Sequence, residues 1–287
     1  MFCSLSRALF ISAVVVQAVA FSTVAGDYLG QELPGLDAVP FAPEILEHYS
    51  FGGTFNLDLT EFFYTEQIRF GESSQTIGMA YSAGKWVSIG HPNFLNLEAA
   101  MELHIDPAGE RVYFTAIAGS GRWKAYYADR TENGWSLPKL LPGPINSNAY
   151  LPMYITSTTD GVLYWTQLAS DGDFIVRTPR DGDGYGALER IPFDLNEAGK
   201  CAHPFIAPDE SYLIFDAQVN EGPTPSDLYV TFRHPDDTWT PAQSLDSLNT
   251  SEGELAASVS PDGSVLFFAR GLKIHWVSTA VLDPYRP

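Results

Sequence analysis

The stretch "APDESYLIFDA", residues 207–217, decides the fold, because its pattern returns along the chain. It places a Pro-Asp turn between two short apolar runs, and "SPDGSVLFFA" at 260–269 repeats this arrangement closely. "DPAGERVYFTA" at 106–116 repeats it more faintly. A turn that recurs at a fixed distance predicts a repeat architecture.

Three kinds of residue keep the same period. The aromatic that ends the second apolar run recurs at spacings of 50, 51, 50 and 53, at Tyr64, Phe114, Trp165, Phe215 and Phe268. An aromatic after a polar turn occurs at Trp86, Trp135, Tyr185 and Trp239. An aliphatic residue followed by asparagine occurs at Asn96, Asn146, Asn196 and Asn249. Three markers with one period exclude chance as an explanation.

Each period of about 50 residues contains four short β-type runs separated by tight turns, and no convincing helical stripe. The sequence therefore predicts an all-β fold, a five-bladed β-propeller of four-stranded antiparallel blades. The recurrent aromatics are expected to pack between blades. The predicted repeats cover residues 47–96, 97–146, 147–196, 197–249 and 250–287.

The two ends of the chain are predicted to share one blade. The last repeat stops at Pro287 without its outer strand, whereas residues 26–46 are left over at the other end. An unclosed ring would expose two sheet edges. We therefore expect residues 26–46 to complete the last blade, so that 26–287 form a single propeller domain.

The first 25 residues predict export to the periplasm or the medium. Arg7 is their only charged side chain, an apolar run extends from Ala8 to Ala20, and small residues precede a cleavage site after Ala25. No other apolar run approaches the roughly 20 residues of a membrane span. Removal of a signal peptide leaves Cys201 as a single cysteine, so no intramolecular disulfide is expected.

Composition excludes one class of partner. The net charge is -19 and no Lys/Arg cluster stands out, so nucleic acid is not expected to bind. Such acidity is typical of a soluble protein, and affinity for Ca²⁺ is the minor alternative. "DGDGYG" at 181–186 could belong to a Ca²⁺ loop, but its place in the repeat predicts a hairpin turn. No cofactor is expected.

The Pro-Asp-Gly repeats resemble the PD40 motif of WD40-like propeller repeats, the type found in the propeller domain of periplasmic TolB. The resemblance covers the chain from about residue 28 onward, strongly in the last two copies and weakly in the first, "FNLDLTEFFYT". It implies a periplasmic or secreted propeller used for binding. The additional domain of TolB has no counterpart in the sequence, so the role of TolB is not carried over.

No catalytic motif accompanies these repeats: the sequence lacks G-x-S-x-G, C-x-x-C, H-E-x-x-H and a phosphate-binding glycine loop. Propeller geometry would bring the loops that enter the innermost strands to one mouth of the channel. We predict a ligand site there formed by five residues of different repeats, namely Glu98, Glu102, His104, His203 and Glu254. Solvated turn residues are the alternative interpretation.

Two functions from different classes remain open. The first is an exported, non-enzymatic binding or scaffold protein, a monomer whose partner is a protein, a small ligand or a glycan. The second is a carbohydrate-active hydrolase with paired carboxylates. Residues aligned with Glu102 are Gly52, Pro152, His203 and Ala256, so only one of five is acidic, which favours binding. A metal-dependent lyase or isomerase built on His104 and His203 is a weaker third option.

Overall fold

The computed structural model describes residues 28–67, 74–119, 121–147, 151–182, 184–219 and 225–287. The predicted signal peptide at 1–25 lies outside these residues. Short antiparallel strands dominate the described chain. Within the described ranges, no helix has the length and apolar character needed to cross a membrane.

The described strands form five large sheets, which we call blades 1 to 5, and one small two-stranded sheet beside blade 3. The first strand of the described residues, β1 (Val39–Pro40), belongs to blade 5. Blade 1 contains β2 (Tyr49–Phe55), β3 (Glu61–Gln67), β4 (Gln75–Ser82) and β5 (Lys85–Gly90). Blade 2 contains β6 (Ala99–Ile105), β7 (Arg111–Ile117), β8 (Trp123–Thr131), β9 (Gly134–Trp135) and β10 (Lys139–Leu140).

Blade 3 contains β11 (Leu151–Ser157), β12 (Leu163–Ala169), β13 (Gly172–Thr178), the small hairpin β14 (Arg180–Asp181) and β15 (Gly184–Tyr185), and β16 (Glu189–Arg190). Blade 4 contains β17 (Cys201–Ile206), β18 (Tyr212–Ala217), β19 (Asp227–Phe232) and β20 (Gln243–Ser244). Blade 5 contains β21 (Glu254–Val259), β22 (Val265–Arg270) and β23 (Lys273–Ser278). The described helices are short: 3-10 turns at Pro144–Asn146 and Thr279–Tyr285, and α1 at Asp194–Glu197.

The first strand of each blade lies at the centre of the molecule. These inner strands, β2, β6, β11, β17 and β21, contact one another in a closed ring around a channel. The chain therefore forms the predicted five-bladed propeller. We call the end of the channel where the chain enters each inner strand the entry face. The other end, where each inner strand turns into its second strand, is the turn face.

The two ends of the chain share blade 5, as predicted. β1 pairs antiparallel with β23, Val39 opposite Trp276 and Pro40 opposite His275. The next residue, Phe41, donates its backbone N–H to Ile274 O at 2.9 Å. Its ring is 1 % exposed and lies 5.0 Å from the rings of both Phe267 and Trp276. Strand pairing and aromatic packing thus close the ring together.

The five marker aromatics occupy equivalent settings, as their period predicts. Each is buried in a different hydrophobic cluster, and each cluster fills the interface with the preceding blade: Tyr64, Phe114, Trp165, Phe215 and Phe268. The residue before each marker faces the following blade instead, because side chains alternate along a strand. Trp165, for example, packs with Tyr113 of blade 2, whereas Tyr164 packs with Phe215 of blade 4.

The asparagine marker has a structural role in three copies. Asn146, Asn196 and Asn249 each bond the backbone N–H and C=O of one residue on the third strand of their blade. In blade 1, Asn96 is exposed, and the ring of His91 contacts the equivalent carbonyl, that of Thr76, at 3.1 Å. In the first copy, a histidine therefore makes the contact that the marker asparagine makes in the other three copies.

Candidate functional site

Every inner strand carries a β-bulge at the same place. Its pairing with the second strand slips there, and the residue at the slip adopts a left-handed backbone. A non-glycine residue in this conformation costs of order 1 kcal/mol and is retained only when its surroundings fix it. The five bulge residues, with φ of 63°, 60°, 51°, 45° and 55° in chain order, are Gly52, Glu102, Tyr154, His203 and Ala256.

The bulges correct one alignment made from the sequence. Tyr154, not Pro152, is the blade 3 equivalent of Glu102, whereas Pro152 lies in the regular part of the ladder opposite Gln167. The repeat length varies by a few residues between copies, so a constant period places this position two residues too early. The corrected set still contains one acid, and it adds an aromatic side chain at the centre of the ring.

Tyr154 spans the channel from blade 3. Its hydroxyl donates to the backbone oxygens of Ala256 at 2.9 Å and Ala257 at 3.1 Å, both on blade 5. The edge of its ring meets His203 of blade 4 at a centroid distance of 5.2 Å. A Cβ atom added to Gly52 of blade 1 would lie 3.5 Å from Tyr154 Cε2. The tyrosine ring therefore closes the channel between its two mouths.

The bulge amides are bonded by the residue that follows each marker aromatic. Thr65 accepts from the N–H of Glu102 at 3.0 Å, and Thr166 accepts from that of His203 at 2.8 Å. Blade 2 departs from this pattern, because the N–H of Tyr154 donates to Glu102 Oε2 at 2.7 Å. Thr115 Oγ1, the expected acceptor there, has no hydrogen-bond partner in the described residues. At this interface, Glu102 thus accepts the hydrogen bond that a threonine accepts in the equivalent places.

Asp216 replaces the threonine in blade 4. Its Oδ1 accepts from the N–H of Ala256 at 3.0 Å and lies 2.8 Å from His203 Nδ1. Burial lowers the pKa of His203, but the carboxylates of Asp216, Glu102 and Asp173 outweigh burial and raise it to about 9. The imidazole is therefore a cation at neutral pH, paired with a buried carboxylate on one side. Its side chain is 24 % exposed.

Glu102 completes a cluster of four residues on the axis, which we call the axial cluster: Glu102, Tyr154, His203 and Asp216. Burial raises the pKa of Glu102, and the charge of His203 and the N–H of Tyr154 act in the opposite direction. A carboxyl group, an imidazolium and a phenol thus meet in a poorly hydrated space, which is the type of setting that binds or transforms small polar groups.

The five predicted site residues separate into distinct environments. Glu102 and His203 meet in the axial cluster, and His104 lies on the same strand as Glu102, toward the turn face. Glu98 is exposed and accepts from the N–H of Gly119 at 3.0 Å. Glu254 is fully buried, so it does not lie in the open channel mouth.

Glu254 is bonded on both oxygens. Its Oε1 pairs with Arg270 Nε at 2.8 Å and accepts from Thr250 Oγ1 at 2.7 Å, while Oε2 accepts from the Thr250 N–H at 2.8 Å. Arg270 also donates to Leu248 O. These contacts are internal to blade 5 and to the chain that leads into it. Both carboxylate oxygens are therefore already engaged within the protein.

A cavity of about 240 Å³, which we call the axial pocket, opens on the turn face of the channel. Every blade contributes to its wall, including Thr54, His104, Ser157, Phe205 and Ser258. A separate cavity of only about 10 Å³, which we call its tip, shares Thr54, His104 and Ser258 with it and is also lined by Glu102 and Tyr154. The axial pocket therefore lies at the opposite mouth from the one that the sequence favoured, with His104 and Glu102 as the predicted residues it touches.

A second cavity of about 560 Å³ adjoins the axial pocket between blades 2 and 3, sharing Asp106, Ser157 and Thr159 with it. Part of its charged lining is paired within the protein. Asp129, for example, accepts from Arg111 Nε at 2.8 Å. Across the described ranges, no three His, Cys, Asp or Glu side chains are placed to hold a metal ion together.

The sequence did not identify two residues of the axial cluster. Tyr154 was hidden by the two-residue error in the alignment. Asp216 could have been found from the residues that follow the markers, because it is an acid in a series that otherwise reads Thr65, Thr115, Thr166 and Ala269.

No family model and no curated protein sequence matches the chain. Solved structures do share its fold. TolB from Acinetobacter baumannii superposes with a TM-score of 0.50 at 14% identity, over 81% of this chain and 55% of that one. A putative TolB from Agrobacterium tumefaciens gives 0.52 at 15% identity, over 78% and 73%.

The chain has the propeller fold of TolB. It spans about half the length of the Acinetobacter protein, 55%. The catalytic domain of a Coprinopsis cinerea GH62 α-L-arabinofuranosidase is also similar, with a TM-score of 0.53 at 8% identity, over 84% of this chain and 94% of that one. At such identities the likeness to TolB and to the hydrolase shows the fold alone.

Proposed function

We propose that this protein is a non-enzymatic binding propeller that holds a small ligand in the axial pocket. One observation carries the proposal: all five blades contribute to a single cavity of about 240 Å³ on the axis. Only the closed ring builds such a cavity, and concave sites with apolar walls and few polar groups are typical of ligand binding.

The state of the carboxylates supports binding over hydrolysis. Asp216 is engaged by His203 and Ala256, and Glu254 by Thr250 and Arg270. A glycosidase needs two carboxyl groups at roughly 5 to 9 Å that can reach a substrate. In the axial cluster, Glu102 Oε1 and Asp216 Oδ2 accept no hydrogen bond from the described residues, but Asp216 is already paired through Oδ1 with the imidazole of His203.

A thermal-shift screen of the protein spanning 26–287 tests the proposal, because a ligand that binds only the folded ring raises its melting temperature. The panel contains neutral, anionic and cationic small molecules, glycans and Ca²⁺. Leu57 lies at the mouth of the axial pocket and is 49 % exposed, so Leu57→Trp should abolish a genuine shift. Leu137→Trp, at a residue that is 70 % exposed outside the pocket, is the matched control. Shifts that survive Leu57→Trp would contradict the site.

A hydrolase is the second candidate, and one arrangement favours it. Asp216 fixes the imidazole of His203 beside Glu102, whose pKa is raised by burial, and a carboxyl that keeps its proton can act as a general acid. Release of sugar from an aryl α-L-arabinofuranoside or from oligosaccharides, lost in Glu102→Gln, would favour this function. Binding without release of product would favour the first.

Export is part of the proposal. The apolar segment that follows Arg7 supports a signal peptide, so the mature chain should begin near Gly26. N-terminal sequencing of the protein recovered from a bacterial periplasm or medium tests this. A protein that retains Met1 and stays in the cytoplasm would contradict export.

A further inference from the structure

The hydrogen bonds of His104 fix which of its ring nitrogens carries the proton. The backbone N–H of Ser157 donates to His104 Nε2 at 3.1 Å, so Nε2 must offer a lone pair and the proton lies on Nδ1. Burial lowers the pKa of His104 to about 3, which agrees with a neutral ring. No described residue accepts a hydrogen bond from Nδ1. The axial pocket thus contains one free N–H donor.

Glu102 supplies the complementary group. The residue is 4 % exposed and lines the tip of the axial pocket together with His104. Its Oε2 accepts from the N–H of Tyr154, whereas Oε1 accepts from no described residue. Neither Oε1 nor His104 Nδ1 is among the described polar atoms that are sealed from solvent without a partner. Water can therefore reach both atoms, and a ligand group of about the size of a water molecule can take its place at Glu102.

The rest of the axial pocket is mainly apolar. Phe55, Ile105, Phe205, Ile206 and Tyr212 contribute to its wall, and so do the prolines of three turns, Pro107, Pro208 and Pro261. A volume of about 240 Å³ suits a group the size of a single substituted ring. The pocket thus combines an apolar body with one donor and one acceptor at its deep end.

We propose, on the basis of the binding function above, that the axial pocket takes a neutral ligand with a ring-sized apolar body and a hydroxyl or carboxamide tip. The tip accepts from His104 Nδ1–H and donates to Oε1 of Glu102 in its ionised form. A carboxylate tip could not donate to Glu102, and an ammonium tip could not accept from His104. Either would leave a buried polar group unpaired, which costs more than a missing contact.

Four probes of one shape test this inference: benzamide, benzyl alcohol, benzoate and benzylamine, titrated by calorimetry at pH 7 into the protein spanning 26–287. Benzamide and benzyl alcohol should bind at least tenfold more tightly than the two charged probes. Tightest binding of benzylamine or benzoate would overturn the inference while leaving the binding function intact. Absence of binding by all four would also overturn it, and the broader thermal-shift panel would then judge the proposed function separately.

Two further measurements assign the contacts. His104→Phe should weaken benzamide about tenfold, whereas the control His48→Phe, at an exposed histidine outside the pocket, should not. Nitrogen NMR of the wild-type imidazoles does not depend on how a variant folds. It should show His104 protonated on Nδ1 and unchanged between pH 8 and pH 5. A proton on Nε2 would overturn the inference.

Discussion

Each interface between blades is filled by the same kind of side chain, whereas the five residues at the channel axis differ in size and charge. Trp165 and Phe215, for example, occupy rotationally related clusters. Glu102 and His203 share a backbone conformation, but one side chain is an acid and the other a base. The repeated residues therefore specify the ring, and the residues that differ between repeats at the axis determine which ligands the channel can bind.

Removing the N-terminal segment 26–46, the latch that completes blade 5, should have the largest effect on the stability of the ring. Without residues 26–46, β23 loses its partner strand and the cluster around Phe267 loses Phe41. Replacing one buried phenylalanine by alanine costs about 3–5 kcal/mol, so the deletion should lower the melting temperature by well over about 10 °C. Calorimetry checks this, with Leu33→Ala at a 61 % exposed position as the control. An unchanged melting temperature would show that four blades and an open fifth suffice.

Arg270→Met tests whether Glu254 stabilises the fold or binds a ligand. The variant leaves a fully buried carboxylate without its cation, which should cost about 3–5 kcal/mol in urea denaturation. Replacing both partners, as Glu254→Gln with Arg270→Met, should recover much of that loss. If the single variant is as stable as the wild type and instead loses ligand binding, Glu254 is a ligand residue after all.

The fold could be predicted because its determinants repeat. The marker aromatics pack alike in every blade, so a period in the sequence became a rotation in space, and the missing outer strand of the last repeat indicated the latch. The axis depends instead on bulges, whose extra residue leaves no signature in a period that varies from copy to copy. The tautomer of His104 was also out of reach, because it depends on the amide of Ser157, 53 residues away.

The two channel histidines should give the stability curve opposite slopes on its two sides. The pKa of His203 rises to about 9 on folding, so its contribution is complete below about pH 6.5 and is lost as the pH rises through 9. The pKa of His104 falls to about 3, so its contribution is complete above about pH 6.5 and is lost as the pH falls toward 3. The full change should be about 3 kcal/mol for His203 and about 5 kcal/mol for His104.

Urea midpoints measured from pH 4 to pH 10 check these slopes. His203→Gln should flatten the alkaline side of the curve relative to the wild type, and His104→Gln should flatten the acid side. Each variant serves as the control for the other, because both remove an imidazole from the channel. A variant that flattened the wrong side would mean that the charge states assigned to the two rings are exchanged.

Of these changes, Gly52→Ala should have the smallest effect on the free energy of unfolding. Gly52 is a bulge residue with φ of 63°, and an added Cβ would meet Tyr154 Cε2 at 3.5 Å, an ordinary contact. Ala256 already holds the same conformation in blade 5, so the backbone tolerates alanine at a cost of about 1 kcal/mol. Chemical denaturation should show that loss with ligand binding retained. Gly53→Ala is the contrast, because its Cβ would lie 2.8 Å from the ring of Phe62 and should cost more. A loss at Gly52 as large as the loss at Gly53 would mean that the bulge of blade 1 does not tolerate a side chain.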